Sequence, residues 1–260
     1  MNPEKINKII IKFIKEKVAN ANADGVVIGM SGGIDSAVVA KLCALAIGKE
    51  KVLALIMPTR VTEENDVYDA VNFSERLGIE YKIIDISKIL DSFLDEIEKD
   101  NEKNEKNKTA LGNLMARIRM CLLYYHANLL NRLVAGTGNK SEILCGYFTK
   151  FGDGACDILP IAKLYKTQVR ELAEYLKIPK EIRKKVPSAG LWRGQADEEE
   201  LGIPYEILDK ILIELIDKNI EISEIIEKLK IEKETVKRVE NLVNNSKHKR
   251  NMPEICCTKI

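Results

Sequence analysis

A short apolar run that ends in two adjacent glycines, within GVVIGMSGGIDS at residues 25–36, constrains the fold of this chain most strongly. The run predicts a buried strand, and the following residues 34–47 (IDSAVVAKLCALAI) predict a helix. Gly32 and Gly33 allow the backbone to approach a ligand closely and to adopt dihedral angles that other residues avoid. Residues 25–47 therefore predict a strand, a glycine loop and a helix whose N-terminal N–H groups could cradle an anion.

The same alternation of strand and helix continues along the chain. Apolar strands separated by helices indicate a parallel sheet that is covered on both faces. We therefore predict one α/β domain over residues 1–260, a doubly wound parallel sheet of about five strands with helices on both faces and a helical C-terminal portion. The later predicted strands are 51–57, 79–86, 133–136 and a short one near EILCG (142–146), and the predicted helices are 3–20, 62–77, 87–99, 109–132 and the segments from Lys166 onward.

Composition and charge exclude several classes of function. The 41 Lys and Arg residues balance 40 Asp and Glu residues, so no global field would attract nucleic acid or an anionic membrane. The charged N-terminal segment is not a signal peptide, and no apolar run is long enough to span a bilayer. Two histidines exclude a His-rich metal site, and the six cysteines form no CxxC pair. We expect reduced thiols and a cytoplasmic protein that binds neither nucleic acid nor membrane.

Ser31, Asp35 and Ser36 give the glycine loop its chemistry. The two hydroxyls add donors, whereas the Asp35 carboxylate would repel a phosphate unless a cation lay between them, which suggests Mg²⁺. The loop has neither the GK[ST] of a Walker A motif nor the GxGxxG of a dinucleotide fold. The alternative is a plain turn in which Ser31 or Asp35 caps the helix, although capping requires neither both glycines nor both hydroxyls.

SGGIDS resembles the SGGxDS loop of the ATP pyrophosphatase superfamily, whose members cleave ATP between the α- and β-phosphates and adenylate an oxygen of a substrate. Several longer segments resemble the NAD⁺ synthetases of this superfamily, in the same order along the chain. They are GNLMARIRM (112–120), GTGNKSE (136–142), YFTKFGDGACDILPIAKLYKTQVRELA (147–173), PSAGLWRGQADEEELGIPYEILD (187–209) and HKR (248–250). The resemblance extends from Gly29 to Arg250.

The resemblance implies a two-step reaction with ATP as co-substrate. The nicotinate carboxylate of deamido-NAD⁺ would attack the α-phosphate of ATP and release pyrophosphate, and ammonia would then displace AMP to form the amide. Because the attacking carboxylate is already ionised, positioning and cations would supply most of the catalysis. Relatives that use glutamine carry a nitrilase-like domain ahead of this one. Only about two dozen residues precede Gly25, so we expect no N-terminal glutaminase domain and free ammonia as the nitrogen source, unless a separate chain supplies it.

The resemblance also assigns site residues. The ATP-binding positions are Gly29, Met30, Ser31, Gly32, Gly33, Ile34, Asp35, Ser36, Thr137, Lys166 and Ser188. The deamido-NAD⁺ positions are Arg117, Lys150, Asp157, His248 and Lys249. The Mg²⁺ cofactor implied by the family would be held by Asp35 and Glu142.

The residues alone leave plainer alternatives open for several of these positions. Arg117 could be a surface or interface charge, residues 136–142 an ordinary turn and helix cap, and residues 149–157 a plain surface loop. His248 lies in SKHKR, which is typical of a solvated basic tail. The acids of residues 196–202 (ADEEELG) are most simply a helix start that the helix dipole favours.

The resemblance implies a homodimer with the deamido-NAD⁺ site at the subunit interface. The predicted helix 109–132 suits this arrangement because its apolar residues occupy more than one face, as expected of a helix buried by both core and partner. A central core helix within one chain is the alternative.

Two other classes of function remain open from the sequence. One is another adenylating amidotransferase or a tRNA-thiolating relative, although the neutral charge and the lack of a CxxC pair speak against thiolation. The other is an ATP-binding sensor on a similar sheet, which would not need Asp35 and Glu142 together. Cys156 lies near the predicted site, but adenylation needs no thiol, so we predict no catalytic role for it.

Overall fold

Four parallel strands form the centre of the computed structural model, which describes residues 1–97 and 105–256. They are β1 (Gly25–Gly29), β2 (Val52–Ile56), β3 (Glu80–Ile83) and β4 (Arg132–Ala135), in the spatial order β3-β2-β1-β4. Each strand pairs in parallel with its neighbours, so that Val27 of β1 lies opposite Leu53 on one side and Val134 on the other.

Helices connect the strands and build the second half of the chain. The first half contains α1 (Pro3–Asn20), α2 (Ile34–Ile47), α3 (Glu64–Leu77), α4 (Ser87–Ile97) and α5 (Glu105–Leu129). The second half contains α6 (Lys140–Cys145), α7 (Lys166–Tyr175), α8 (Lys180–Arg183), α9 (Asp197–Leu201), α10 (Tyr205–Leu212), α11 (Ile222–Leu229), α12 (Lys233–Asn245) and α13 (Lys247–Arg250). A 3₁₀ turn precedes β2 at Lys49–Lys51, and a π-helical turn follows α10 at Ile213–Asp217.

Alternate residues of β1 face opposite sides of the sheet, as the period of a strand requires. Val26 and Ile28 belong to a buried core that includes Ile14 of α1 and residues of α2 and α7. Val27 belongs to a second buried core that includes Met115 of α5. Helices therefore cover both faces of the sheet, which confirms the predicted doubly wound α/β fold.

The predicted strand near EILCG (142–146) is wrong, because these residues lie mainly in helix α6. Asn139 caps this helix by accepting a hydrogen bond from Glu142 N, and Gly146 ends it with a φ of +70°. Within the described residues the sheet consequently has four strands rather than about five.

The order of the strands places a switch point between β1 and β4. From β1 the chain crosses to β2 and β3 on one side, and it later returns to β4 on the other side. Open α/β sheets bind ligands in the crevice at the carboxyl ends of such neighbouring strands. Residues 30–33 after β1 and residues 136–139 after β4 lead into α2 and α6 at that edge.

The helical C-terminal portion buries a third apolar cluster, which includes Tyr205, Leu208, Val236 and Val239. Cys145, at the end of α6, packs into this cluster and so joins it to the edge of the sheet that carries the switch point. In the part of the chain that the structure describes, no helix combines the length and apolar character that a membrane crossing demands.

Candidate active site

The glycine loop (residues 30–36) is held in place by its own two hydroxyl groups. Ser36 Oγ accepts a hydrogen bond from Ser31 N at 3.3 Å and donates one to Gly33 O at 3.0 Å. Ser31 Oγ accepts a hydrogen bond from Gly33 N at 3.2 Å and lies 3.2 Å from Ser36 Oγ. None of these contacts within the loop uses the Asp35 carboxylate.

Gly32 brings the loop against the first turn of α3. Its φ of +77° is a left-handed conformation that favours glycine, and a Cβ at this position would lie 2.3 Å from Asp66 O. Any side chain at position 32 would therefore displace either the loop or α3.

Asp35 does not cap helix α2. Gly33 is the N-cap residue, and among the described residues no side chain provides the capping bond. The Asp35 carboxylate instead accepts one hydrogen bond from Asn139 Nδ2 at 3.0 Å and another from Lys166 Nζ at 2.6 Å. The alternative in which Asp35 is a helix cap is therefore wrong.

Asp35 and Glu142 form an acidic pair around one lysine. Lys166 Nζ donates to Asp35 Oδ2 at 2.6 Å and to Glu142 Oε1 at 3.1 Å, and only 3% of the lysine side chain is exposed. Asn139 holds the second oxygen of each carboxylate, since its side chain donates to Asp35 Oδ1 and its backbone N–H donates to Glu142 Oε2 at 3.2 Å. Residues that follow β1 and β4 thus meet the start of α7 at the switch point.

Burial and neighbouring charges shift the pKa values of Glu142 and Lys166 in opposite directions. Burial raises the pKa of Glu142 above its usual range, although the Lys166 charge acts against this shift. Burial lowers the pKa of Lys166, but the charges of Asp35 and Glu142 outweigh it and raise that pKa above its usual value. Lys166 is therefore protonated at neutral pH and offers one positive charge to two carboxylates.

The donors of the Asp35–Glu142 pair fit Mg²⁺. This ion prefers oxygen ligands and commonly binds through one or two carboxylates together with substrate phosphates and water. Across residues 1–97 and 105–256, no group of three or more His, Cys, Asp or Glu side chains is arranged to hold a metal ion. Asp35 and Glu142 could therefore hold Mg²⁺ with the help of ligand or water oxygens.

Tyr205 and Asp197, which sequence reasoning did not assign to the site, lie behind Lys166. The Tyr205 ring centroid is 5.2 Å from Lys166 Nζ, and the Tyr205 hydroxyl donates to Asp197 Oδ2 at 3.3 Å. Asp197 is 3% exposed, and its Oδ1 has no hydrogen-bond partner among the described residues. Burial raises the pKa of Asp197. The acidic helix start predicted at residues 196–202 is confirmed as α9, but local sequence does not reveal that its first residue is buried.

Asp209 fixes the backbone around Lys166. Its carboxylate accepts hydrogen bonds from Ser141 Oγ at 2.5 Å and from Thr167 N at 2.8 Å. Ser141 Oγ in turn accepts from Lys166 N at 2.9 Å, so the first turn of α7 is tied to α6. The signal that could have found Asp209 is its position as a single acid among the buried apolar residues of α10.

Thr137 and Ser188, both predicted to bind ATP, lie in loops between the helices and strands. Thr137 lies between β4 and Asn139, and Ser188 is exposed and accepts a hydrogen bond from Gly190 N at 3.1 Å. In the described ranges, no hydrogen bond joins either residue to the acidic pair.

Four of the five residues predicted to bind deamido-NAD⁺ lie together, and they form what we term the basic cluster (Arg117, Lys150, His248 and Lys249). Arg117 Nη2 donates to Lys150 O at 3.3 Å. Lys150 Nζ donates to His248 O at 2.6 Å and to Asn251 O at 3.0 Å. These bonds bring α5, the loop after α6 and α13 to one place.

The segment around His248 is a docked helix rather than a solvated tail. Lys249 Nζ donates to Gly146 O at 2.7 Å and to Phe148 O at 2.9 Å. Arg250 Nη1 donates to Leu144 O at 2.6 Å and so occupies a carbonyl at the C-terminal end of α6. These side chains therefore hold the loop after α6 against α13.

Asp157 is bonded to residues outside the basic cluster. Its Oδ1 accepts from Tyr124 OH at 3.1 Å, and its Oδ2 accepts from Val134 N at 2.7 Å. Over the residues that the structure describes, no hydrogen bond or ion pair joins Asp157 to Lys150 or Lys249. Asp157 therefore fastens its loop to β4 and α5 within one chain.

Cys156 is packed against the backbone that follows β4. A Cβ on Gly136 would lie 2.5 Å from Cys156 Sγ, and burial raises the pKa of the Cys156 thiol to about 11. The thiol is thus protonated at neutral pH, which makes it a poor nucleophile.

Residues 6–253 match the family model described as NAD synthase. Among curated relatives, the NH(3)-dependent NAD(+) synthetase of Archaeoglobus fulgidus is 52% identical over 256 residues, which cover 98% of this chain and 97% of the relative. The protein of the same description from Methanocaldococcus jannaschii is 55% identical over 250 residues, covering 96% and 95%. Among solved structures, NMN synthetase from Francisella tularensis superposes with a TM-score of 0.87 at 38% identity, covering 98% of this chain and 99% of that one.

Proposed function

Because this chain belongs to the NAD synthase family, we propose that the glycine loop and the Asp35–Glu142 pair form its ATP site. The chain is a carbon–nitrogen ligase that amidates deamido-NAD⁺ to NAD⁺ with ammonia and ATP, through an NAD-adenylate, and releases AMP and pyrophosphate. This proposal rests on one observation: Lys166 Nζ donates hydrogen bonds to both carboxylates at the switch point of the sheet.

The glycine loop is proposed to receive the phosphates of ATP and to keep the pyrophosphate that leaves. Its support is the N-terminus of α2, where backbone N–H groups and the helix dipole favour an anion. The ATP-binding set in this proposal comprises Gly29, Met30, Ser31, Gly32, Gly33, Ile34, Asp35, Ser36, Thr137, Lys166 and Ser188.

Asp35 and Glu142 are proposed to hold Mg²⁺, which when bound would shield the negative charge of the phosphates. Lys166 is suited to contact a phosphate oxygen, because it is protonated and its ammonium lies directly between the two carboxylates. Two residues would limit the movement of Lys166. The Tyr205 ring lies against its ammonium, and the Asp209 carboxylate holds the backbone of the first turn of α7.

Positioning and electrostatics are proposed to account for the first chemical step. The nicotinate carboxylate is ionised at neutral pH and needs no general base in order to attack the α-phosphate. The task of the chain is then to align this carboxylate with the phosphorus atom and to stabilise charge on the departing pyrophosphate. The protonated Cys156 thiol has no part in this scheme.

The basic cluster and Asp157 are proposed to bind deamido-NAD⁺ at a homodimer interface. Arg117, Lys150 and Lys249 would supply positive charge for the phosphates of the dinucleotide. Among the described residues Asp157 makes no hydrogen bond to the cluster, and in this proposal two copies of the chain bring both into one site. One exposed face of α5, the α5 stripe (Arg117, Cys121, Tyr125 and Leu129), has the spacing of successive helical turns and is available for such a contact.

Residues 1–260 are further proposed to act as one NAD synthetase domain that takes free ammonia in the cytoplasm. The support for the compartment is the pattern of thiols, because Cys43 and Cys145 are buried single cysteines in apolar surroundings. The support for ammonia is the description of the curated relatives.

The test supplies purified protein with ATP, MgCl₂, ammonium chloride and deamido-NAD⁺ and identifies every product. NAD⁺, AMP and pyrophosphate in equal amounts are expected, whereas ADP and phosphate would overturn the proposed mechanism. A second arm replaces deamido-NAD⁺ by nicotinic acid mononucleotide, because the Francisella tularensis structure is described as an NMN synthetase. A third arm replaces ammonium by glutamine, and product in that arm would contradict direct use of ammonia.

A further inference from the structure

Lys185 contacts the backbone of the glycine loop and two carboxylates of α3 at once. Its Nζ donates to Gly32 O at 3.2 Å, to Asp66 Oδ1 at 2.7 Å, and lies 2.6 Å from Asp69 Oδ2. The lysine side chain is 25% exposed and that of Asp69 13%, so this cation is largely removed from water. One ammonium therefore joins the glycine loop to two acids on α3.

The contact between Lys185 and the Gly32 carbonyl matters because the same peptide group carries the Gly33 N–H on its opposite side. A trans peptide is planar, so its C=O and N–H point in opposite directions. Lys185, by fixing the Gly32 carbonyl, also fixes the direction of the Gly33 N–H at the N-cap of α2. Within residues 1–97 and 105–256, that N–H donates to Ser31 Oγ inside the loop and to no other group.

Close packing of α3 on the loop strengthens this constraint. Asp66 provides both a carboxylate for Lys185 and the backbone carbonyl that would lie 2.3 Å from a Cβ on Gly32. Helix α3 and Lys185 thus both constrain the Gly32–Gly33 peptide.

Lys185 also leads directly into the segment that contains Ser188. Pro187, between them, accepts a hydrogen bond from Asp197 N at 3.0 Å. The chain from 185 to 188 is therefore fixed at two points, once to the glycine loop and once to α9. Two predicted ATP-binding segments are in this way joined through a single side chain.

We propose that Lys185 is a positioning residue for the ATP site, which orients the Gly32–Gly33 peptide and the approach to Ser188 for the triphosphate. This inference rests on the proposed function of the glycine loop. Lys185 acts through backbone groups and touches no reacting atom. An ordinary surface ion pair would explain one carboxylate partner, but it does not explain a lysine shared between two acids and a loop carbonyl.

The test compares Lys185→Met and Lys185→Arg with a matched Lys228→Met variant. Lys228 Nζ donates to Glu214 Oε2 at 2.7 Å in the C-terminal helices, so its loss removes a lysine–carboxylate pair far along the chain from the loop. Lys185→Met should raise the KM for ATP and weaken the binding of magnesium pyrophosphate by about 10- to 100-fold, the usual cost of one charged hydrogen bond. The KM for deamido-NAD⁺ should change by less than about 3-fold, since those contacts are untouched. Lys185→Arg should recover part of the loss, and Lys228→Met should leave both ATP parameters at wild-type values.

Hydrogen exchange at the glycine loop separates positioning from a general structural role. The Gly33 amide should exchange faster in Lys185→Met than in the wild type or in Lys228→Met. Equal losses for both substrates with unchanged exchange at the loop would overturn the inference, and so would wild-type pyrophosphate binding in folded Lys185→Met. If Lys185→Met does not fold, Asp66→Asn is the substitute variant, because it removes one carboxylate partner and keeps the lysine. Asp66→Asn should raise the KM for ATP by a smaller factor than Lys185→Met. Failure of the wild type to bind magnesium pyrophosphate would instead contradict the proposed function.

Discussion

The side-chain amide of Asn139 donates a hydrogen bond to Asp35 Oδ1 at 3.0 Å, across a separation of 104 residues. The same Asn139 caps α6 in a reciprocal capping box with Glu142. One residue therefore orients both carboxylates of the acidic pair, and a helix cap becomes part of the candidate site.

Replacing Asn139 by Ala should reduce turnover more than it reduces stability. The lost cap costs about 1 kcal/mol of unfolding free energy, while the misplaced carboxylates should lower kcat by about 10-fold or more. Asn2→Ala is a matched control, because Asn2 also caps a helix through a hydrogen bond from Lys5 N at 3.1 Å. Denaturation and steady-state kinetics of both variants check this, and equal kcat values in the two would contradict a role for Asn139 beyond capping.

Replacing Lys166 by Met should destabilise the fold and make it responsive to Mg²⁺. Two largely buried carboxylates would lose their cation, which costs about 3–5 kcal/mol for a buried pair. Mg²⁺ should then raise the Tm of Lys166→Met more than that of the wild type, because the ion no longer competes with an ammonium. Lys140→Met is the control, since Lys140 lies 4.4 Å from the Tyr165 ring centroid and pairs with the more exposed Asp217. Thermal unfolding with and without MgCl₂ would reveal the difference, and an equal Mg²⁺ response in both variants would count against the proposed metal ligands.

Replacing Asp197 by Asn should stabilise the protein in a pH-dependent way. Burial raises the pKa of Asp197, so its ionised form costs stability at pH values above the pKa in the unfolded chain. That cost is removed as the pH falls through the raised pKa of the folded state. The Asn variant should therefore unfold with about 1 kcal/mol more free energy at neutral and alkaline pH, and the advantage should fade on acidification. Tyr205→Phe should change stability in the opposite direction, because it removes the hydroxyl that donates to Asp197.

How far the sequence anticipates the structure depends on whether a feature is local. The strand, glycine loop and helix around Asp35 are local, and they are predicted correctly. Residues 142–146 are apolar enough for a strand, but Asn139 at one end and Gly146 at the other make them helical. The roles of Asn139 and Asp209 could not be predicted, because their partners are distant in sequence. Asn139 meets Asp35 only once β1 and β4 are adjacent, and Asp209 meets its partners only once α10 has packed against α6 and α7.

Introducing charge on the α5 stripe should separate the proposed dimer. Tyr125 is 62% exposed and Leu129 64%, so Tyr125→Glu or Leu129→Glu removes apolar contact area without disturbing the core of one chain. Either variant should sediment as a monomer and lose saturation by deamido-NAD⁺. Ile9→Glu is the control, because Ile9 is an exposed apolar residue on α1. A wild-type protein that sediments as a monomer at assay concentration would contradict the proposed interface.

Replacing Cys156 by Ser should leave kcat within about 3-fold of the wild type, because a thiol with a pKa of about 11 is protonated at neutral pH. The smaller, more polar side chain against Gly136 should cost about 1 kcal/mol of stability. Assays between pH 7 and 9 should show the same profile for both proteins. A loss of activity by orders of magnitude would assign this thiol a catalytic role.

The bonds that Lys249 and Arg250 make with Leu144, Gly146 and Phe148 have a consequence for how the chain matures on the ribosome. All four strands and the glycine loop are synthesised before residues 249–250, because synthesis proceeds from the N-terminus. The loop after α6 acquires its anchoring donors only about a hundred residues later. A nascent chain that already contains all four strands would therefore still lack the donors that hold the loop after α6, which carries Lys150 of the proposed deamido-NAD⁺ site, until residues 249–250 leave the exit tunnel.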